Sequence, residues 1–167
     1  IFGGIKRIGA VAGRRFHARN LHPTGIVGPL AAAVTAARLL GLSGEQTSWA
    51  MGLAASMSGG LRAFVVDGGW SKWLHVGWAA HGGIVAAQLA SRGFRGPEHV
   101  LAGGYDLYAG LLHGENLDRA GLTDGLGRSW RGVDAVFKYY PCAHVIQPYI
   151  DAVLAVVRRY DLKPADI

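Results

Sequence analysis

Four lysines stand among the 17 Lys and Arg residues of this chain: Lys6, Lys72, Lys138 and Lys163. Where arginine is the usual base, a lysine set among aromatic residues is informative. Lys72 lies between Trp70 and Trp73, and Lys138 between Phe137 and the Tyr139–Tyr140 pair. Such a lysine has two uses. Its ammonium shifts pKa readily on desolvation and can serve as a base or as a compact positive contact for a carboxylate. Alternatively, its stem packs on the rings while the charge stays in water. His75 follows Lys72 at helical spacing, so the two share a face. An imidazole there can donate to a substrate or simply bond a backbone carbonyl. Along the same stripe come Ala79, Gly82, Gly83 and Ala86. Glycine inside a helix costs about 0.8–1 kcal/mol relative to alanine, so the pair calls for close approach by another helix or by a ligand. A cationic, titratable pair above a narrow stripe points to a buried pocket for an anion.

His22 sits in the turn-like cluster Leu21-His22-Pro23-Thr24-Gly25, just ahead of an apolar run. A turn of this kind can hold an imidazole at a pocket mouth, where it suits proton transfer near neutrality. A capping or loop histidine is the plainer alternative. His144 follows Cys142 closely enough to reach the same space as Lys138. His81, deeper along the Lys72 segment, reads as core, while His17, His99 and His113 read as polar surface. Cys142 has too apolar a neighbourhood for a reactive thiolate and reads as structural. No HxxxH or Cys pair has metal-ligand spacing, so no metal site and no cofactor are expected.

These side chains need helices to hold them. The periodicity predicts a weak helix over 2–16 and a helix over 26–40 that is apolar nearly all round, hence buried. Ser43 and Gln46 have capping-box spacing and open a helix to about Met57. A partly helical connector over 61–70 leads into the long helix that carries Lys72 and His75, closed by Gly93. Short helices are expected over 97–101 and 105–112. The stretch 115–132 is polar, Gly-rich and aperiodic, and reads as a domain boundary. Beyond it, alternation predicts a strand over 135–140, then a helix from Pro148 to Tyr160 with Ile150, Val153, Leu154 and Val157 on its apolar face. The fold class is therefore mainly α: a helical domain over 1–130, followed over 131–167 by the strand–helix start of a smaller α/β domain.

Composition narrows the function. Half of the 167 residues are hydrophobic and 17% are charged, which excludes a disordered chain. The net charge of +6 comes from scattered arginines with no basic run interleaved with aromatics, so nucleic acid is not the expected partner. The apolar stretch over 25–37 is too short to span a bilayer, which takes about 20 residues. One cysteine cannot form an internal disulfide, which fits a reducing compartment and a soluble, cytoplasmic protein. With no initiator Met, and an end at 164–167 where a new element would begin, the chain is expected to be an excerpt of a longer one.

Three stretches, LHPTGIVGPLAAAVTAARLLGL, GGWSKWLHVGWAAHGGIVAAQLASRGFRGPEHVL and FKYYPCAHVIQPYIDA, together resemble the MmgE/PrpD family in order and spacing. Ala102 stands where relatives commonly show Glu, and Ala143 where a second Cys is frequent. The resemblance implies a mostly helical domain, a smaller α/β lid domain and an active site in the cleft between them. It matches His22 to the histidine of the HPT turn, Lys72 and His75 to the K-x-x-H-x-G motif, and Lys138 to the F-K-x-Y-P motif. His22 and Lys72 are thereby expected to be catalytic, with Lys138, His75 and His144 binding substrate. The implied activity is a hydro-lyase that dehydrates a small di- or tricarboxylate such as 2-methylcitrate, by removing a proton α to a carboxylate. An epimerase or a decarboxylase would use the same carbanion chemistry, and a non-catalytic helical interaction module would keep the Gly/Ala stripe without needing Lys72. A homodimer formed through the helical domain is implied as well.

Overall fold

The computed structural model describes residues 2–113 and 117–166. It is mainly helical, and divides into two compact units, Ile1–Gly132 and Val133–Ile167. The first unit holds seven α-helices among its described residues: α1 (Phe2–Ala12), α2 (Arg15–Ala18), α3 (Pro23–Leu39), α4 (Gly44–Ser56), α5 (Phe64–Asp67), α6 (Ser71–Ser91) and α7 (Leu107–Leu112). The single helix expected over 2–16 is thus two, interrupted at Gly13 and Arg14.

α3 is the centre of this unit. Its buried residues run from Gly25 through Ala31 and on to Ala33 and Ala37. One side packs with α1, α2 and α7, where Ile8, Phe16, Ile26, Leu30, Tyr108 and Leu112 share a core. The other packs with α4 and α6 through Ala33, Ala37, Trp49, Ala50, Ala54, Ala86, Ala87 and Ala90. With alanine on both sides the backbones come close. A Cβ on Gly83 would meet the Ala33 nitrogen at 2.6 Å and the Pro29 carbonyl oxygen at 2.7 Å. The close approach that the Gly pair called for is that of helix α3.

Local signals set the helix ends. The Ser43 hydroxyl accepts from the Gln46 N–H, and the Gln46 side chain accepts from the Ser43 N–H, the reciprocal box that satisfies two otherwise unpaired donors. Asp106 caps α7 by accepting from the Ala109 N–H at 2.7 Å. No helix forms over 97–101. There the chain crosses α4 so tightly that a Cβ on Gly52 would meet the Pro97 carbonyl and lie 2.8 Å from the Pro97 ring.

The polar stretch expected to be a boundary belongs in part to the helical unit. Leu117 is buried in its core. Arg119 Nη2 donates to the fully buried carboxylate of Asp106 at 2.7 Å. Arg7, itself buried, donates to the carbonyls of Gly121 at 3.2 Å and Asp124 at 2.6 Å. Of the charges in this stretch Arg119 is used inside, and the contact break falls after Gly132, at its end.

The second unit contains one long helix, α8 (Gln147–Tyr160), preceded by a short 3-10 turn at His144–Ile146. Ile150, Val153 and Leu154 lie together on α8 and, with Tyr149, line a shallow groove. The strand expected over 135–140 is absent. A strand exists through hydrogen bonds to a neighbour, and no described segment pairs with this one. Instead Gln147 ties it locally, accepting from the Tyr139 N–H at 3.0 Å and donating to the Tyr140 carbonyl at 3.2 Å.

Candidate functional site

The site is assembled by a proline. Pro29 lies inside α3, has no N–H for the Gly25 carbonyl one turn earlier, and its ring crowds that carbonyl aside. The released oxygen accepts instead from the Gly59 N–H at 3.1 Å. One residue on, the Ile26 carbonyl accepts from the Ser58 hydroxyl at 2.8 Å. Gly25 permits the approach, since a Cβ there would lie 3.4 Å from the Gly60 Cα and closer still to Gly59. The loop after α4 is thereby fastened to the first turn of α3. It continues as a minimal antiparallel pairing around the Leu21–Leu61 bridge. His22 N–H donates to the Gly60 carbonyl at 2.9 Å, and Arg62 N–H to the Asn20 carbonyl at 2.8 Å.

His22 occupies the N-cap position of α3, but its side chain makes no capping bond. Its Nδ1 lies 2.9 Å from Nδ1 of His75, which projects from the entrance of α6. At this nitrogen His75 thus meets another imidazole. Gly60 makes room, because a Cβ there would meet the His75 ring at 3.3 Å. Phe64 of α5 stands edge-on to both rings, 5.1 Å from His22 and 6.0 Å from His75 between centroids. Lys72 Nζ lies 5.9 Å from the centroid of that same phenyl ring. Two imidazoles and an ammonium, from α3 and α6, are gathered around one phenylalanine.

The surroundings of His22 disfavour a positive charge on it. Burial, then the neighbouring His75 and Lys72, and then His17 and Arg62, lower the His22 pKa from 6.5 to about 4. Every one of these influences disfavours a second positive charge. His22 is therefore neutral at pH 7. A contact between two Nδ1 atoms carries one hydrogen, which sits on whichever ring has the Nδ1–H tautomer while the other ring accepts it. With that hydrogen on His75, a proton arriving at His75 can cross this bond and leave from His22 Nε2.

The surroundings are open. Lys72 is exposed and lines a hollow of about 430 Å³ with Phe64, Gly69, Trp70 and Trp73. A second hollow of about 400 Å³ runs along His75, Gly60, Leu74 and Trp78. The buried pocket expected beneath the cationic pair is not what forms in this unit: the small residues below it are filled by α3. His81, expected in the core, is exposed and stacks on Trp78 with centroids 5.3 Å apart.

His22, His75 and Lys72 are thus brought together within the first unit. Lys138 and His144 are both exposed and belong to the second, where Lys138 Nζ donates to the Cys142 carbonyl at 2.9 Å, two residues before His144. Sequence reading passed over Gly60, Arg62 and Phe64. Their signal was the helix-ending pair Gly59–Gly60 followed by Arg62 and Phe64 at alternate positions. Among the described residues no three His, Cys, Asp or Glu side chains converge as a metal site would require, and no helix is long and apolar enough to cross a membrane.

The first unit is thus mainly helical and presents a hydrogen-bonded imidazole pair beside a lysine. The chain belongs to the MmgE/PrpD family, whose N-terminal domain matches residues 6–120. It is 34% identical over 145 residues to the cis-aconitate decarboxylase of Homo sapiens, covering 85% of this chain and 29% of that protein. To the cis-aconitate decarboxylase of Mus musculus it is 30% identical over 148 residues, 87% of this chain and 29% of the relative. A cis-aconitate decarboxylase-like protein of Aspergillus oryzae is 29% identical over 160 residues, 92% of this chain and 33% of the relative. The chain spans about a third of the length of these relatives.

Proposed function

We propose that the protein carrying this chain is a lyase acting on a small di- or tricarboxylate, and that it works through a carbanion α to a carboxylate. The single observation behind this reading is the His22–His75 contact at 2.9 Å with Lys72 beside it on the shared phenyl ring. Likeness to proteins named cis-aconitate decarboxylase favours loss of CO₂ over loss of water. In that reaction the bond to the departing carboxylate breaks. Its electron pair passes to the carbon skeleton and is held as an aci-carboxylate. Lys72 supplies the positive charge against which that oxyanion develops. His22 Nε2 then delivers a proton to carbon while His75 refills Nδ1 across their bond, so one proton is consumed for each CO₂ released.

Dehydration of a 2-methylcitrate-like hydroxy acid is the second reading, and the dyad itself keeps it in view. A pair that holds one transferable hydrogen can take the α-proton and return it to the departing hydroxide. Lys138 and His144 keep a proposed role in holding a substrate carboxylate.

The test is incubation of the full-length protein with cis-aconitate and, separately, with 2-methylcitrate. Released CO₂, alkene absorbance and deuterium uptake from D₂O are followed together. CO₂ from cis-aconitate with one solvent deuteron in the product is the expected result. Alkene formation from 2-methylcitrate without CO₂ transfers the assignment to the dehydratase reading. Inertness of both substrates rejects the lyase reading.

A further inference from the structure

Arg62 is the cation near His22 that the proposed chemistry leaves without a task. The two bonds that flank the Leu21–Leu61 bridge, His22 N–H to Gly60 and Arg62 N–H to Asn20, define a pairing with alternate side chains on opposite faces. In an ideal pairing of this register Leu21 and Leu61 would share one face and His22 and Arg62 the other. Gly60, opposite His22, contributes no side chain, and the His75 ring fills that place. Arg62 is half-buried, and its Nη1 donates to the His17 carbonyl at 3.1 Å. That bond orients the guanidinium with one of its five N–H donors.

Arg62 lines a hollow of about 310 Å³ with Asn20, Leu61, Ala63, Val65 and Val66, and Val65 also lines the hollow that holds Lys72. The Arg62 charge is among those that keep His22 neutral, so its field reaches the imidazole. The other buried arginine contacts of this unit are already occupied, Arg119 with Asp106 and Arg7 with two carbonyls. His22 is therefore flanked by two unlike cations. Lys72 offers a point charge suited to a developing oxyanion, whereas Arg62 offers a planar fork suited to a formed carboxylate.

We propose that Arg62 is a specificity-determining residue of this site, whose guanidinium binds an additional, non-reacting carboxylate and so selects tricarboxylates over dicarboxylates. This rests on the lyase reading above and deepens it. A substrate with three carboxylates presents one more anion than a dicarboxylate of the same skeleton, and Arg62 is the group placed to register the difference.

The test uses calorimetric binding to the full-length protein of two non-reacting probes, propane-1,2,3-tricarboxylate and glutarate, which differ by the central carboxylate. The wild-type protein should bind the tricarboxylate more tightly. Arg62→Gln should weaken that binding roughly 10- to 100-fold, the range for losing a charge-assisted hydrogen-bonded pair, and move glutarate by no more than about threefold. Arg62→Lys should fall between, because it keeps the charge and loses the fork. Equal losses for both probes would reduce Arg62 to a brace for the His17 carbonyl and overturn the proposal, as would unchanged tricarboxylate binding. If Arg62→Gln does not fold, Arg62→Lys decides alone: the preference must shrink, or the proposal fails. A wild-type protein that binds neither probe refutes the lyase reading itself, and this inference with it. Normal wild-type binding with an indifferent Arg62→Gln variant refutes only the role of Arg62.

Discussion

Helix α6 is two helices in one. From Ala79 to Ala90 one stripe of it, Ala79, Gly82, Gly83, Ala86, Ala87 and Ala90, is buried, and α3 lies so near that position 83 has no room for a Cβ. From Ser71 to Trp78 the same helix is largely open, with Trp73 70% and Trp78 52% exposed, and it carries Lys72 and His75. The difference teaches a division of labour along one element. The far half is a rigid anchor whose tight seat fixes the axis of the helix. The near half spends no reactive group on packing and presents its lysine and histidine beside His22. Precision at a proton-transfer contact needs such an anchor, since a displacement of about 1 Å in a reacting group can cost on the order of a hundredfold in rate.

The largest expected effect breaks the anchor. Gly83→Leu forces side-chain atoms into the α3 backbone, and overpacking against backbone that cannot yield should destabilise by about 3 kcal/mol or more. Denaturant unfolding of the full-length protein checks this, and a loss below about 1 kcal/mol would mean that the helices separate easily and the anchor reading is wrong.

The near half should answer in the opposite currency. His22→Ala or Lys72→Met should lower turnover at least about a hundredfold, the scale of one general acid–base contribution, with the unfolding midpoint hardly changed. Near-normal rates in both variants would return these residues to the surface.

A subtler probe reads the electrostatics directly. Lys72→Met removes one of the charges that disfavour His22 protonation, so the His22 pKa should rise from about 4 while staying below 6.5, because burial, the largest cause, persists. Imidazole NMR titration measures it, and no movement would place Lys72 out of range. The same shift has a thermodynamic sign. Between pH 4 and 6.5 the unfolded chain binds a proton at His22 that the folded chain does not, so stability should climb with pH across that window and level off above it. Replacing His22 with Gln should flatten that part of the stability profile.

The smallest effect sharpens the contrast most cleanly. Gly77 lies on the open half, where an added Cβ would meet nothing within 4 Å. Gly77→Ala should therefore stabilise by up to about 1 kcal/mol through helix propensity alone. The same substitution at Gly83, six residues on, should destabilise. Like signs at the two positions would erase the distinction between the halves.

Much of this was legible in one dimension. The capping box at Ser43 and Gln46, the buried apolar run of α3 and the face shared by Lys72 and His75 all follow from spacing, because each depends on residues within a few positions of one another. The strand over 135–140 and the short helix over 97–101 misled for one shared reason. Both were inferred from local pattern, which carries no information on what lies against a segment: no partner strand in one case, the crossing of α4 in the other. His81 misled differently, since its helical phase was right but its side of α6 faces away from α3 and carries Trp78 instead.

What the sequence determined by itself is the set of chemical groups and the helices that bear them, since composition and periodicity act over a turn or two of chain. Tertiary structure alone decided that His22 meets His75 across 53 positions of sequence. It did so through a carbonyl that Pro29 releases and a loop that Gly59 and Gly60 let in, and no local pattern encodes where a freed hydrogen-bond acceptor will find its donor.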